Sequence, residues 1–162
     1  MARDPENTLI MELKSGQVVI ALRPDLAPGH VARIKELTRQ GFYDGVVFHR
    51  VIPGFMAQTG DPTGTGSGGS DLPDLRSEFS DRKHVRGTVS AARTNNPHSA
   101  NSQFFICFED APWLDRQYSV WGEVVSGMEH VDAIKKGDGS SGAVAGAPDK
   151  IVSMRIEADA KS

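Results

Sequence analysis

The chain has a single cysteine, Cys107, in 162 residues. An intramolecular disulfide is therefore impossible, and a cysteine-built zinc site is not expected. No stretch approaches 18 consecutive apolar residues, so no membrane-spanning helix is expected. The opening MARDPENT is polar and runs directly into a strand-like pattern, without the apolar segment of a secretion signal. An excess of one charge is missing too: 18 Lys+Arg against 21 Asp+Glu leave a net charge of −3. That is not the basic footprint of a nucleic-acid binder, and it gives no attraction to an anionic membrane. The five histidines (His30, His49, His84, His98 and His130) show no H-E-x-x-H or other metal spacing, and no G-x-S-x-G elbow is present. Metal-assisted hydrolysis and serine-type catalysis are both disfavoured, and a reduced, cytoplasmic setting is the expectation.

What is present is globular. Hydrophobic residues make up 38% and charged residues 24% of the chain, far from the composition of disorder. This length suits one domain, which buries roughly 70% of its unfolded surface and needs no staples. No internal repeat is visible.

Leu9, Met11 and Leu13 alternate along Thr8–Lys14, and Val18, Ile20 and Leu22 along Gln17–Leu22. With Ser15-Gly16 as a turn, the two segments predict a β-hairpin. Pro28 opens a helix with Val31, Ile34 and Leu37 on one stripe, closed by Gly41. Further strands are predicted at Val46–Val51, Phe55–Gly60, Gly87–Ala92, Ser102–Phe108, Tyr118–Val125 and Lys150–Glu157. A second short helix begins with the capping box Ser126-Gly-Met-Glu129, carries Met128, Val131 and Ile134, and stops at Gly137. His30 and His130, on these helices beside polar neighbours, are expected to be solvated. Strands that do not alternate with helices argue against a parallel α/β sheet. The predicted fold is mainly β: a closed eight-stranded antiparallel barrel capped by two short helices.

Two stretches lack periodicity, Asp61–Arg86 and Asp138–Asp149, and loops this long are functional or mobile. The first contains G-x-G-x-x-G at Gly64, Gly66 and Gly69. A dinucleotide site needs a helix directly after it, but Ser70-Asp71-Leu72-Pro73-Asp74 follows, so a flexible surface turn is the better reading.

The informative segments lie elsewhere. In Phe48-His49-Arg50-Val51-Ile52-Pro53-Gly54-Phe55-Met56-Ala57-Gln58, a regular strand puts Phe48 and Arg50 on one side and His49 on the other. Most arginines are solvated surface residues. In Ser102–Phe108, however, Phe104, Ile106 and Phe108 form one inward face and leave Phe105 pointing out. Phe105, Phe55, Met56, Trp113 and Leu114 could then line an apolar pocket, with Arg50 and Gln58 as its few polar groups.

FHRVIPGFMAQTGD, SQFFICF and WLD, in this order and spacing, closely resemble the cyclophilin family of peptidyl-prolyl cis–trans isomerases, or rotamases. The resemblance runs from about residue 8 to residue 157 and is similar to short bacterial members. It implies an eight-stranded barrel with two helices and an active site on the outer barrel face. It further implies Arg50 as the catalytic arginine and Phe55, Met56, Phe105 and Leu114 as the proline pocket. Gln58 and Gln103 would position the substrate backbone, and the edge Ala92-Arg93-Thr94 would pair with an extended peptide. It implies His49, Trp113 and Tyr118 as further substrate-binding residues, and Trp113 matches the position associated with cyclosporin binding. Tyr118 stands where many eukaryotic members carry histidine, and Arg93-Thr94 replaces their Asn-Ala. One residue is extra around Asn95-Asn96, Ala91 replaces a methionine, and the segment after Thr63 is shorter. The implied partners are proline-containing peptides and unfolded chains, with cyclosporin as an inhibitor. A monomer is expected, with no cofactor, metal, nucleic acid or membrane.

Overall fold

The structure is a computed structural model and describes residues 5–64, 68–94, 96, 98–137, 142–144 and 146–161. Gly66 of the glycine cluster and Asn95 lie outside the described residues. Eight antiparallel strands form one sheet: β1 (Thr8–Leu13), β2 (Gly16–Leu22), β3 (Arg50–Ile52), β4 (Met56–Thr59), β5 (Thr88–Ala91), β6 (Phe104–Cys107), β7 (Val120–Ser126) and β8 (Ser153–Ile156). Their spatial order is β3-β4-β6-β5-β7-β2-β1-β8. All eight predicted strands are present. Most are trimmed by a residue or two, because strand ends lose ladder bonds first.

The sheet is open rather than the closed barrel expected from the sequence. Its two end strands, β3 and β8, do not pair. Residues 142–144 and 146–151, which precede β8 in the chain, meet the β3 side only through isolated bridges, Arg50 to Ala143 and Val47 to Lys150. The Val51 amide donates to the Gly142 carbonyl at 2.7 Å, and the Phe48 amide to Asp149 at 2.8 Å. Closure needs a continuous ladder all the way round, and a segment of small and polar residues supplies only scattered bonds.

The inner face follows the alternation read from the chain. Leu9, Met11, Leu13, Val18, Ile20, Leu22, Phe104, Ile106 and Phe108 all enter one buried core with Tyr43, Phe48 and Trp121. Helix α1 (Pro28–Arg39) adds Val31, Ile34 and Leu37. Its C-terminus closes as a Schellman motif: the Phe42 amide donates to the Leu37 carbonyl and the Gly41 amide to Thr38. Gly41 accordingly sits at φ 73°.

Two local expectations fail. Helix α2 is short, Met128–Asp132, and Ser126 belongs to β7 instead of capping it. The cap position is Gly127 at φ 84°, with no side-chain hydrogen bond. A Cβ there would meet the Gln17 carbonyl oxygen at 2.2 Å, so the close crossing of β2 decides the residue. His30 is the second case: it is 1% exposed rather than solvated. Its ring Nδ1 meets Glu78 Oε1 at 2.5 Å. Glu78 also accepts from the Gly29 and His30 amides, at 3.0 and 2.8 Å. A carboxylate from a distant loop thus caps α1, which begins at Ala27-Pro28 with no cap of its own. His130, by contrast, is partly exposed.

Candidate active site

Directly opposed residues in antiparallel strands point to the same face. Register therefore places Arg50 opposite Gln58, Gln58 opposite Phe105, and Phe105 opposite Ser90, one transverse row across β3, β4, β6 and β5. The next row runs Ile52–Met56–Cys107. Both rows lie on the face opposite the core. There Met56, Ala92, Phe105, Cys107, Ala111 and Leu114 form a second apolar cluster, with Ile52, Phe55 and Tyr118 packed against it.

Phe105 leaves the core face as expected, yet it is only 5% exposed. A 3₁₀ turn at Pro112–Leu114, not anticipated from the sequence, folds back over the cluster. Burial pushes the Cys107 thiol up to about 12, with Asp115 and Asp110 adding to it. Cys107 is thus packing rather than a nucleophile.

Arg50, Phe55, Met56, Gln58, Ala92, Arg93, Phe105, Leu114 and Tyr118 line a cavity of about 160 Å³. Pockets for drug-sized ligands run to roughly 300–1,000 Å³, so this one suits a single small apolar group. Arg50 is exposed and Phe48 buried. The two do not share a face, because the chain is irregular at 48–49 and β3 starts only at Arg50. His49 is half-buried and does not line the cavity; burial holds its imidazole below the usual range, and Arg50 adds to this against the pull of Asp61. Trp113 is 63% exposed at the rim, tilted against Phe55 at 5.5 Å between centroids.

A hydrogen-bonded relay orients the polar edge. Arg50 Nη1 donates to Gln58 Oε1 (3.1 Å), Gln58 Nε2 to Gln103 Oε1 (2.9 Å), and Gln103 Nε2 to the Gly68 carbonyl (3.0 Å). Each amide spends its oxygen on one neighbour and its nitrogen on the next, so neither flips without breaking two bonds. The relay ends at Gly68, whose amide, like that of Thr63, donates to the buried Asp61 carboxylate. Beside this edge lies a larger polar cavity of about 710 Å³, reached past Gln58, Ala92 and Arg93 and walled by Thr94, Asn101, Gln103 and the loop at Gly68–Ser70.

Three supporting residues were not found by sequence reasoning. His84 is 1% exposed, and its ring lies nearly parallel to Phe105, 6.2 Å away at 18°. Nδ1 faces Asp115 Oδ1 at 3.2 Å and Nε2 faces Ser90 Oγ at 3.1 Å. A carboxylate only accepts, so Nδ1 carries the proton and Nε2 accepts from the serine hydroxyl. Burial keeps the imidazole below its ordinary pKa against the pull of Asp115. Only the register of Ser90 against Phe105 could have pointed to this group, and register is not readable from one chain.

A family model described as cyclophilin type peptidyl-prolyl cis-trans isomerase matches residues 8–156. The chain belongs to the cyclophilin family. A Brucella suis protein named "Probable peptidyl-prolyl cis-trans isomerase" is 57% identical over 171 residues, covering 99% of this chain and 87% of that one. A rat protein named peptidyl-prolyl cis-trans isomerase-like 3 is 42% identical over 125 residues, 75% of this chain and 77% of its own. Among solved structures, a Hirschia baltica cyclophilin superposes with a TM-score of 0.87 at 31% identity, covering 98% and 77% of the two chains. A Cryptosporidium parvum cyclophilin, crystallised in the presence of the dipeptide Ala-Pro, gives 0.85 at 28% identity over 92% and 98%. The cyclophilin chain described here is a peptidyl-prolyl cis–trans isomerase.

Proposed function

We propose that isomerisation of X–Pro bonds takes place on the outer sheet face, with Arg50 as the group that selects the transition state. An X–Pro bond favours trans by only about 0.5–1 kcal/mol, but amide resonance sets a barrier of roughly 18–20 kcal/mol. Rotation to a perpendicular amide uncouples the nitrogen lone pair, which becomes a hydrogen-bond acceptor only then. A guanidinium held against that nitrogen favours the twisted state over both ground states, and only such differential interaction accelerates the reaction. Arginine suits the role through its permanent charge and planar fork of donors.

The observation that carries this reading is the transverse row: Arg50 and Phe105 flank Gln58 on one face, with a 160 Å³ cavity among them that has Phe55, Met56, Phe105 and Leu114 in its wall. Phe55, Met56, Phe105 and Leu114 hold the proline ring while the preceding carbonyl swings. Gln58 keeps Arg50 aimed, Gln103 fixes Gln58, and the backbone at Ala92–Thr94 pairs with the peptide. No step transfers a proton or needs a metal. The same rim, with Trp113 exposed, supports cyclosporin as an inhibitor. We also infer one domain acting as a cytoplasmic monomer on proline-containing peptides and unfolded clients. The lone buried cysteine is compatible with a reducing setting, and covering of the outer edge of β3 removes one route to pairing between copies.

The test is NMR exchange spectroscopy on an Ala-Pro peptide. Exchange between cis and trans peaks at catalytic enzyme amounts is the expected result. Shifted peaks without accelerated exchange would instead make the face a binding module.

A further inference from the structure

The rim of the proline cavity carries a cation that the isomerisation itself does not use. Arg93 follows β5, and its side chain crosses the mouth of the cavity toward the loop before β7. Nε and Nη2 both donate to the Gln117 carbonyl, at 3.0 and 2.6 Å, and Nη1 donates to the Thr94 carbonyl at 2.8 Å. The guanidinium carbon stands 4.7 Å from the Tyr118 ring centroid and 5.9 Å from that of Phe79. Phe79 is 43% exposed, so the stack lies at the surface. Three of the five N–H donors of a guanidinium are engaged, all on neutral carbonyls. Among the described residues, no carboxylate pairs with Arg93.

The surrounding charges point the same way. The 160 Å³ cavity is lined by two guanidinium groups, Arg50 and Arg93, and by no acid among the described residues. The adjoining polar cavity has one acidic lining residue among them, Asp74, whose Oδ1 accepts from the Asn101 amide. This is a cationic rim on a chain of net charge −3. Backbone carbonyls and two rings already fix the Arg93 side chain, so a ligand carboxylate would meet a donor pair that loses little further entropy on binding.

We propose that Arg93 is a specificity-determining residue that recognises a carboxylate side chain flanking the substrate proline. The preferred substrates are peptides with Asp or Glu within two residues of the proline. This rests on the reading that Phe55, Met56, Phe105 and Leu114 hold the ring.

The test is kcat/KM for a peptide series in which Glu, Gln or Lys occupies each of the two positions before and after proline, for wild type, Arg93→Gln and Arg93→Lys. At low salt the wild type should turn over the best-placed Glu peptide about two- to fivefold faster than its Gln counterpart, as for an exposed ion pair, and the gain should shrink with ionic strength. Arg93→Gln should abolish the Glu-to-Gln ratio, and Arg93→Lys should keep part of it. Equal wild-type turnover of Glu and Gln peptides at every position, or a preference for Lys, would overturn the proposal. So would an Arg93→Gln variant that slows every peptide in the same proportion, since that is what a purely structural bridge between Thr94 and Gln117 predicts. The wild-type series decides even if a variant folds poorly. Failure to turn over any peptide would instead defeat the isomerase reading of the cavity.

Discussion

Arg50 and Gln58 face each other across the β3–β4 pair, and the guanidinium donates to the amide oxygen over 3.1 Å. A side chain on a three-residue edge strand is thereby aimed by a neighbour whose own orientation is fixed by Gln103. Arg50→Ala removes a preorganised charged donor comparable to one oxyanion-hole group. The expected loss is roughly 10²–10³ in kcat/KM. An exposed arginine contributes little to the core, so the thermal melt should move little, and peptide affinity should fall much less than turnover. Arg50→Lys should restore only part of the rate, because a point charge lacks the fork. A folded alanine variant keeping more than about a third of the activity would remove Arg50 from the mechanism.

Cyclosporin should inhibit. Trp113 stands exposed against Phe55 and offers both an apolar ring and an indole N–H. A titration against isomerase activity checks this. Absence of inhibition up to the solubility limit would mean that Arg93, laid over Tyr118 at the same rim, blocks the drug.

Stability and activity should separate on a pH scale. His30 and His84 are both held below the ordinary imidazole value by burial, partly opposed by Glu78 and Asp115. The unfolded chain therefore binds protons first as pH falls. Their contribution is complete above about 6.5 and is lost on acidification below it, toward the depressed folded values. Asp115 is lowered by the His84 amide, and Glu78, although raised by burial, is lowered on balance by its bonds to His30 and Gly29. Their contribution is complete above about 4 and is lost below it. Melting temperature should be level between pH 7 and 8 and fall on going to acid. Turnover, in which no group exchanges a proton, should be nearly flat across the neutral range and indifferent to EDTA. A bell-shaped profile would implicate a general acid–base pair.

Glu78→Ala should destabilise by about 1–3 kcal/mol, since it strips the borrowed cap from α1 and leaves the buried His30 ring without its carboxylate. Chemical denaturation of the two proteins measures it. A change within about 0.5 kcal/mol, the size of an ordinary surface substitution, would show that water replaces the carboxylate without loss.

Much of this architecture is legible in a single chain because apolar alternation is a local signal. Phe104, Ile106 and Phe108 mark the core face, and Phe105 betrays the other one. The family motifs then placed Arg50, Gln58 and Leu114 at one site, and the structure brings them to one cavity. What escaped depends on partners distant in sequence. His30 reads as a surface histidine until Glu78, 48 residues away, is folded onto it. The Ser126 capping box has correct spacing, but the crossing of β2 at Gln17 decides where α2 begins. Closure of the barrel could not be inferred from strand count, because β3 meets an isolated bridge at Ala143 rather than a ladder with β8. His84 and Ser90 lie in no motif, and Asp115 stands in WLD with nothing in the spacing to tie it to either.

That contact at Ala143 also gives the strand that carries Arg50 its own dynamic reporter. The Val51 amide is protected by the Gly142 carbonyl and the Phe48 amide by Asp149, whereas amides of the β1–β2 ladder lie within regular pairing. Release of the strap alone would free Val51 and Phe48 to exchange with solvent deuterium while β1 and β2 remain closed. Exchange at those two positions therefore tracks opening beneath Arg50 as an event separate from global unfolding, at a free energy of its own.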